Sequence, residues 1–268
     1  MRQLLLAFQF LTIVPVKVRG EVSEKDISGS AVFFPVVGAF QGLLAAVAAL
    51  LCMKLFSPEV ACGLVLLVLT LINGGFHLDG LADTFDALAV KSSGERAFDR
   101  EKRLSVMKDS STGAIGVTAI VFAVLLKFVF LNFLFLNHPL LTVLYLLFFI
   151  PVFSKWVMIP AMFHGISARQ DGLGKIFIND TGTRTVLLSS LSVILFYILT
   201  LPFIPDKAYF HKTMVLFTVL FAVLYMFSFL SVKFFRQKFG GTTGDNLGAI
   251  SEISEIIFLM VISLWRNL

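Results

Sequence analysis

The sequence predicts an all-α polytopic membrane protein, a bundle of about seven transmembrane helices with an N-terminal interfacial helix. Two compositional facts and one pattern predict it. Of the 268 residues, 57% are hydrophobic and only 15% charged, where a soluble domain has about 45–50% apolar and about 25% charged residues. Mean hydropathy is +0.91. Apolar runs close to the roughly 20 residues that cross a bilayer core recur along the whole chain. A soluble domain could not cover its surface with 22 basic and 17 acidic side chains while exposing much of 30 Phe. Disorder, collagen-like repeats, a disulfide scaffold and a nucleic-acid-coating protein are excluded together. Outer-membrane barrels are excluded too, because alternating amphipathic strands are absent.

Taken in order, residues 1–16 (MRQLLLAFQFLTIVPV) form an apolar stretch ended by Pro15. It is short for a span and lacks a small-residue cleavage site, so it reads as a retained interfacial helix. Spans follow at 31–53, 60–76, 115–136, 139–163, 186–204, 213–235 and 249–264, the last being the shortest. No aqueous segment is long enough to fold alone, so residues 1–268 form a single integral-membrane domain. Cys52 and Cys62 lie in or beside apolar runs and read as small buried hydrophobes.

The net charge of +5 is a topology signal, with no nucleic acid implied. With the N-terminus in the cytoplasm, sixteen of the 22 Lys and Arg fall in the N-terminal segment and in the loops after spans two, four and six. Four (Lys54, Lys207, Lys212 and Arg266) fall on the other side, and Lys127 and Lys155 lie inside spans. This is the positive-inside pattern. It predicts an integral protein of a prokaryotic cytoplasmic (inner) membrane with its polar clusters facing the cytoplasm.

The largest cluster is GGFHLDGLADTFDAL, residues 74–88. Asp79, Asp83 and Asp86 stand at i, i+4 and i+7 and share one helix face. Stacked carboxylates at a membrane edge repel one another, and a divalent cation such as Mg²⁺, which takes one or two carboxylates plus phosphate oxygens, resolves the repulsion. A solvated acidic face is the alternative. The loop continues with RLSVMKDSSTGAIGV, residues 103–117, where Arg103 and Lys108 suit phosphate and Asp109 is a further ligand or base. Small residues opening span three there suit an anion, although no Walker A motif is present. A third cluster, KFGGTTGDNLGAISEISEI (238–256), offers Thr243 among glycines, Asp245, Glu252 and Glu255. Along one helix face these bring three carboxylates to the membrane boundary, unless the segment is merely a capped interfacial turn. Lys155 is either an anchor or a substrate contact, Lys127 should face a partner inside the bundle, and His77 is the histidine nearest a site.

These segments, with FLTIVPV (10–16), FPVVG (34–38), GLGKIF (172–177) and GGTTGDNLGA (240–249), run through almost the whole chain. They resemble the cobalamin synthase family (adenosylcobinamide-GDP ribazoletransferase). FSKW departs from it, with Lys155 where many members would have Arg. The resemblance implies a transferase that joins adenosylcobinamide-GDP and α-ribazole, or its 5′-phosphate, giving adenosylcobalamin, or its 5′-phosphate, and GMP with Mg²⁺. It implies Mg²⁺ on Asp79, Asp83 and Asp86, with Asp109 and Asp245 completing the site or acting as base. Arg103 and Lys108 would take the diphosphate, Thr243 and Glu255 the opposite wall, and His77 and Lys155 further substrate contacts. The lipid bilayer is the other partner, and a homo-oligomer is compatible with the sequence. A CDP-alcohol phosphatidyltransferase would also stack aspartates on membrane helices, but Asp83 stands where its signature has Arg after Ala82. A transporter would place its polar groups near the midplane in inverted repeats.

Overall fold

A computed structural model describes residues 1–203 and 208–265. Lys207, Arg266 and the end of the span expected at 186–204 lie outside the described residues. All named elements are helical, and one isolated bridge between Ser167 and Thr242 is the sole β pairing among the described residues.

The first helix, α1 (Arg2–Leu11), is short and buries Leu6, Ala7 and Leu11. Next, α2 (Glu24–Ser30) starts at a capping box. The Ser23 hydroxyl accepts from the Asp26 amide, and the Asp26 carboxylate accepts from the Ser23 amide. Through a 3₁₀ turn it runs into α3 (Phe34–Cys52). Then come α4 (Pro58–Ile72), α5 (Phe76–Leu88), α6 (Arg96–Val106) and α7 (Ala114–Asn137). The chain continues as α8 (Leu140–Trp156), α9 (Met158–His164), α10 (Leu173–Asp180), α11 (Thr183–Thr200), α12 (Ala208–Phe239) and α13 (Gly244–Leu264).

Six helical stretches are long and apolar enough to cross a membrane: Glu24–Cys52, α7, Leu140–His164, α11, His211–Phe239 and α13. The pair α4–α5 makes a seventh if its two bent arms count as one span. The expected second span, 60–76, therefore needs correcting. Its helix ends at Ile72, and α5 leaves at 87°. Gly74 and Gly75 make this turn with φ of 65° and 71°, a left-handed backbone that glycine adopts without steric penalty. The last span also differs: α13 starts at Gly244, so the polar stretch through Glu255 lies inside the helix.

Burial sorts the bundle. The Leu140–His164 and α13 windows are 67% and 61% buried within the protein, while α11 is only 17% buried. The α3–α8 contact is close because Gly38 and Gly42 are spaced G-x-x-x-G. A Cβ at Gly42 would stand 2.2 Å from the Phe148 carbonyl oxygen, and one at Gly38 2.4 Å from that of Pro151. Small residues at this spacing let membrane helices gain dispersion contact where no hydrophobic force drives association. Around α8, Phe149, Phe153, Trp156, Phe217 and Phe221 form a chain of edge-on and tilted rings.

Candidate functional site

The site forms where α5 lies against the start of α13. Gly80 makes that approach: a Cβ there would stand 2.8 Å from the Asp245 carbonyl oxygen and 3.0 Å from its Cα. One turn further along α13, a Cβ at Gly248 would stand 3.3 Å from the His77 backbone. Thr84 receives a hydrogen bond from Asn246 Nδ2 at 3.0 Å, tying the two helices a third time. Asp245 is thereby fixed beside the acidic face of α5.

Four carboxylates share this region. Asp83 lies within electrostatic reach of Asp79, Asp245 and Asp86, with Arg169 as the cation in the group. Arg169 forms an ion pair with Asp245 at 2.9 Å. Its loop is held in place by Ala168, whose amide donates to the Thr242 carbonyl at 3.0 Å, and by the Thr242 amide donating to Ile166 at 2.7 Å. Asp79 is exposed, while Asp83 and Asp245 are half-buried.

Asp86 is engaged differently. Its two oxygens accept the amides of Gly113 and Gly116 at 2.7 Å each. Its carboxylate thus caps the first turn of α7, where backbone donors lack partners and the helix end is positive.

The remaining candidates fall elsewhere. Asp109 is exposed in the α6–α7 loop, where the Ser111 hydroxyl and amide hold its pKa below the ordinary value. Lys108 beside it is exposed. Arg103 is buried and donates to the Lys238 carbonyl at 3.1 Å. The Thr243 hydroxyl caps α13 by accepting from the Asn246 amide. Glu255, expected on the site wall, instead points into the bundle. It accepts from Lys127 at 2.6 Å and from Ser154 at 3.0 Å, and Glu252 pairs with the same Lys127 ammonium. Ten residues of helix put Glu255 about 15 Å along the axis from Asp245. Lys155 is fully buried and donates to Ser251 at 3.0 Å, with His77 Nδ1 also at 3.0 Å. Those contacts place Lys155 and His77 behind α5 in the interior. Arg169 was the residue missed by sequence reasoning, which counted it only as loop charge.

Among the described residues, no three His, Cys, Asp or Glu side chains converge on a common metal position. The chemistry of the donors still fits Mg²⁺. That ion is satisfied by one or two carboxylates when waters and phosphate oxygens complete its shell, and Asp79, Asp83 and Asp245 are hard oxygen donors with a single counter-charge nearby.

Among the described residues, then, a helical bundle of membrane-spanning type gathers carboxylates and an arginine where α5 and α13 meet. The family model for cobalamin-5-phosphate synthase matches residues 3–263. The chain belongs to that family. It is 36% identical over 98% of its length to the adenosylcobinamide-GDP ribazoletransferase of Thermodesulfovibrio yellowstonii, covering 96% of that protein. The proteins of the same name from Geotalea daltonii and Clostridioides difficile are 35% and 32% identical over 98% of this chain, which covers 97% and 98% of them. No solved structure matches.

Proposed function

We propose that the protein transfers the cobinamide phosphate of adenosylcobinamide-GDP onto α-ribazole or α-ribazole 5′-phosphate, releasing GMP. Family membership and one observation support it: the close approach of Gly80 to the Asp245 backbone, which brings carboxylates from two separated sequence motifs into one region. The ribazole 3′-hydroxyl attacks the phosphorus attached to cobinamide, its proton passes to a base, and the bond to the GMP phosphate breaks. Asp245, half-buried and held by Arg169, is the base assigned to that proton. Arg169 neutralises charge on phosphoryl oxygens; preorganised charge of this kind is commonly a large part of catalysis. Asp79 and Asp83 would hold Mg²⁺, which would supply Lewis-acid stabilisation of the phosphoryl group. Asp86 caps the start of α7.

The active face is assigned to the cytoplasmic side of a prokaryotic inner membrane, from the charge distribution among the loops. Purified protein in detergent, given adenosylcobinamide-GDP, either nucleophile and Mg²⁺, should release GMP, and chelation should stop it. GMP release that persists undiminished in EDTA refutes the metal assignment. Absence of GMP with both nucleophiles refutes the reaction.

A further inference from the structure

A cavity of about 530 Å³ lies between α6 and the end of α12, apart from the acidic site. Ser92, Arg96, Asp99, Arg100, Arg103 and Lys238 line it. Three arginines at i, i+4 and i+7 put their guanidiniums on one helix face. None of the four ion pairs among the described residues involves any of them. Arg103 is only 8% exposed, and the Nε atoms of Arg100 and Arg103 are buried without a hydrogen-bond partner. Buried donors are normally paired, so unpaired guanidinium nitrogens lining a cavity point to an absent acceptor.

The carboxylate in the cavity does not take that role for all three. Asp99 is already held by the Ser92 hydroxyl and by the amide and hydroxyl of Ser93, both at 2.8 Å. Those bonds hold its pKa down at about 2, so it remains an anion. The Lys238 ammonium lies 5.8 Å from the Phe234 ring. Three arginines and Lys238 against one carboxylate leave the cavity net positive, which suits a phosphate monoester carrying about −1.5 to −2 at neutral pH. Guanidinium forks suit phosphate oxygens geometrically.

The cavity adjoins the acidic site through one loop. Arg103 bonds the Lys238 carbonyl, and Arg100 stands 3.4 Å from the position of a Cβ at Gly240. Gly240 and Asp245 are five positions apart, at most about 18 Å of extended chain. We infer that Arg96, Arg100 and Arg103 form a phosphate-monoester pocket that seats the 5′-phosphate of the attacking nucleoside. The inference rests on the reaction proposed above. In that reaction the diphosphate is at the aspartates, and the nucleophile carries the remaining phosphate.

The test compares kcat/KM for α-ribazole 5′-phosphate and for α-ribazole in wild type, Arg96→Gln, Arg100→Gln and Arg103→Gln. Wild type should prefer the phosphorylated nucleophile. That preference should fall about ten- to a hundred-fold in Arg100→Gln through a raised KM, the effect of losing a charged hydrogen bond. Arg103→Gln also loses the bond to Lys238, so Arg96→Gln and Arg100→Gln carry the result if it fails to fold. An unchanged preference in both overturns the inference. So does weakened inhibition by GMP with unchanged preference, which would place the guanylate phosphate there. A loss that appears only in vesicles containing phosphatidylglycerol, equal for both nucleophiles, would identify a lipid headgroup and also overturn it. Inorganic phosphate should raise the melting temperature of wild type but not of Arg100→Gln. If no GMP forms at all, the reaction has failed, and this phosphate measurement still decides whether the pocket binds phosphate.

Discussion

Replacing Lys127 with Met should destabilise the bundle more than any exposed substitution. Lys127 stands on α7 with its side chain 9% exposed, and it holds Glu252 and Glu255 of α13, whose side chains are 3% and 9% exposed. With Lys155 nearby, two cations balance two anions. Met fills a similar volume but leaves an uncompensated anion in the apolar interior. Breaking a buried pair by removing one partner costs about 3–5 kcal/mol, which corresponds to a fall in melting temperature on the order of 10 °C for a chain this size. The assay is thermal unfolding in detergent, followed by far-UV circular dichroism. Glu252→Gln in the same chain restores the charge balance and should recover a substantial part of the loss, giving a coupling energy from the double-mutant cycle. A Lys127→Met melting temperature within about 2 °C of wild type, a change of about 1 kcal/mol or less, would refute the network's structural role.

Further outcomes follow from the site and its surroundings. Gly80→Val should separate α5 from α13 and lower kcat about 100-fold with the helical signal retained, since a displacement of about 1 Å can have that effect; activity within a few-fold of wild type would show that the contact is not needed. Asp86→Asn should retain more activity than Asp79→Asn or Asp83→Asn, because both Asp86 oxygens cap α7; equal losses at limiting Mg²⁺ would count against that division. Asp99 has a folded pKa of about 2, below its ordinary 3.8. Its stabilisation of the α6 start is therefore present above pH 3.8 and lost as pH falls through about 2. Hydrogen exchange around Gly94 should rise across that window in wild type and not in Asp99→Asn. In a background lacking Cys52 and Cys62, cysteines at Gly94 and Gly182 should label only from the cytoplasmic side and one at Ser57 only from outside; opposite labelling of Gly94 and Gly182 breaks the topology.

The spans were legible because lipid demands long apolar runs whatever packs beside them. The kink lies at Asn73, Gly74 and Gly75, a turn-forming run whose left-handed glycines end the helix and through which the span expected at 60–76 runs. The spacing of Asp79, Asp83 and Asp86 revealed their common face. It did not reveal that Asp86 is directed to two amides 27 and 30 residues away. Glu252 and Glu255 were read with Asp245 because all three lie along one helix. Depth separates them, and Lys127 on another helix claims the deeper two. Arg169 carries no local signal of its role: its pairing with Asp245 arises from the Ser167–Thr242 bridge, a contact between segments about 75 residues apart.

The brevity of α4 has a consequence for the surrounding lipid. Fifteen residues make a rod about 22 Å long, whereas the hydrocarbon layer is about 30 Å thick. With its outer end at the far headgroups, α4 stops several ångströms below the near ones, and α5 turns sideways at that depth. With that placement the aspartates are expected below the near headgroup level, at the floor of a notch in one leaflet. Thicker bilayers deepen the notch and thinner ones flatten it, at a strain of fractions of a kcal/mol per ångström of mismatch. Turnover should therefore depend on acyl-chain length in reconstituted vesicles, making membrane thickness a parameter of the chemistry.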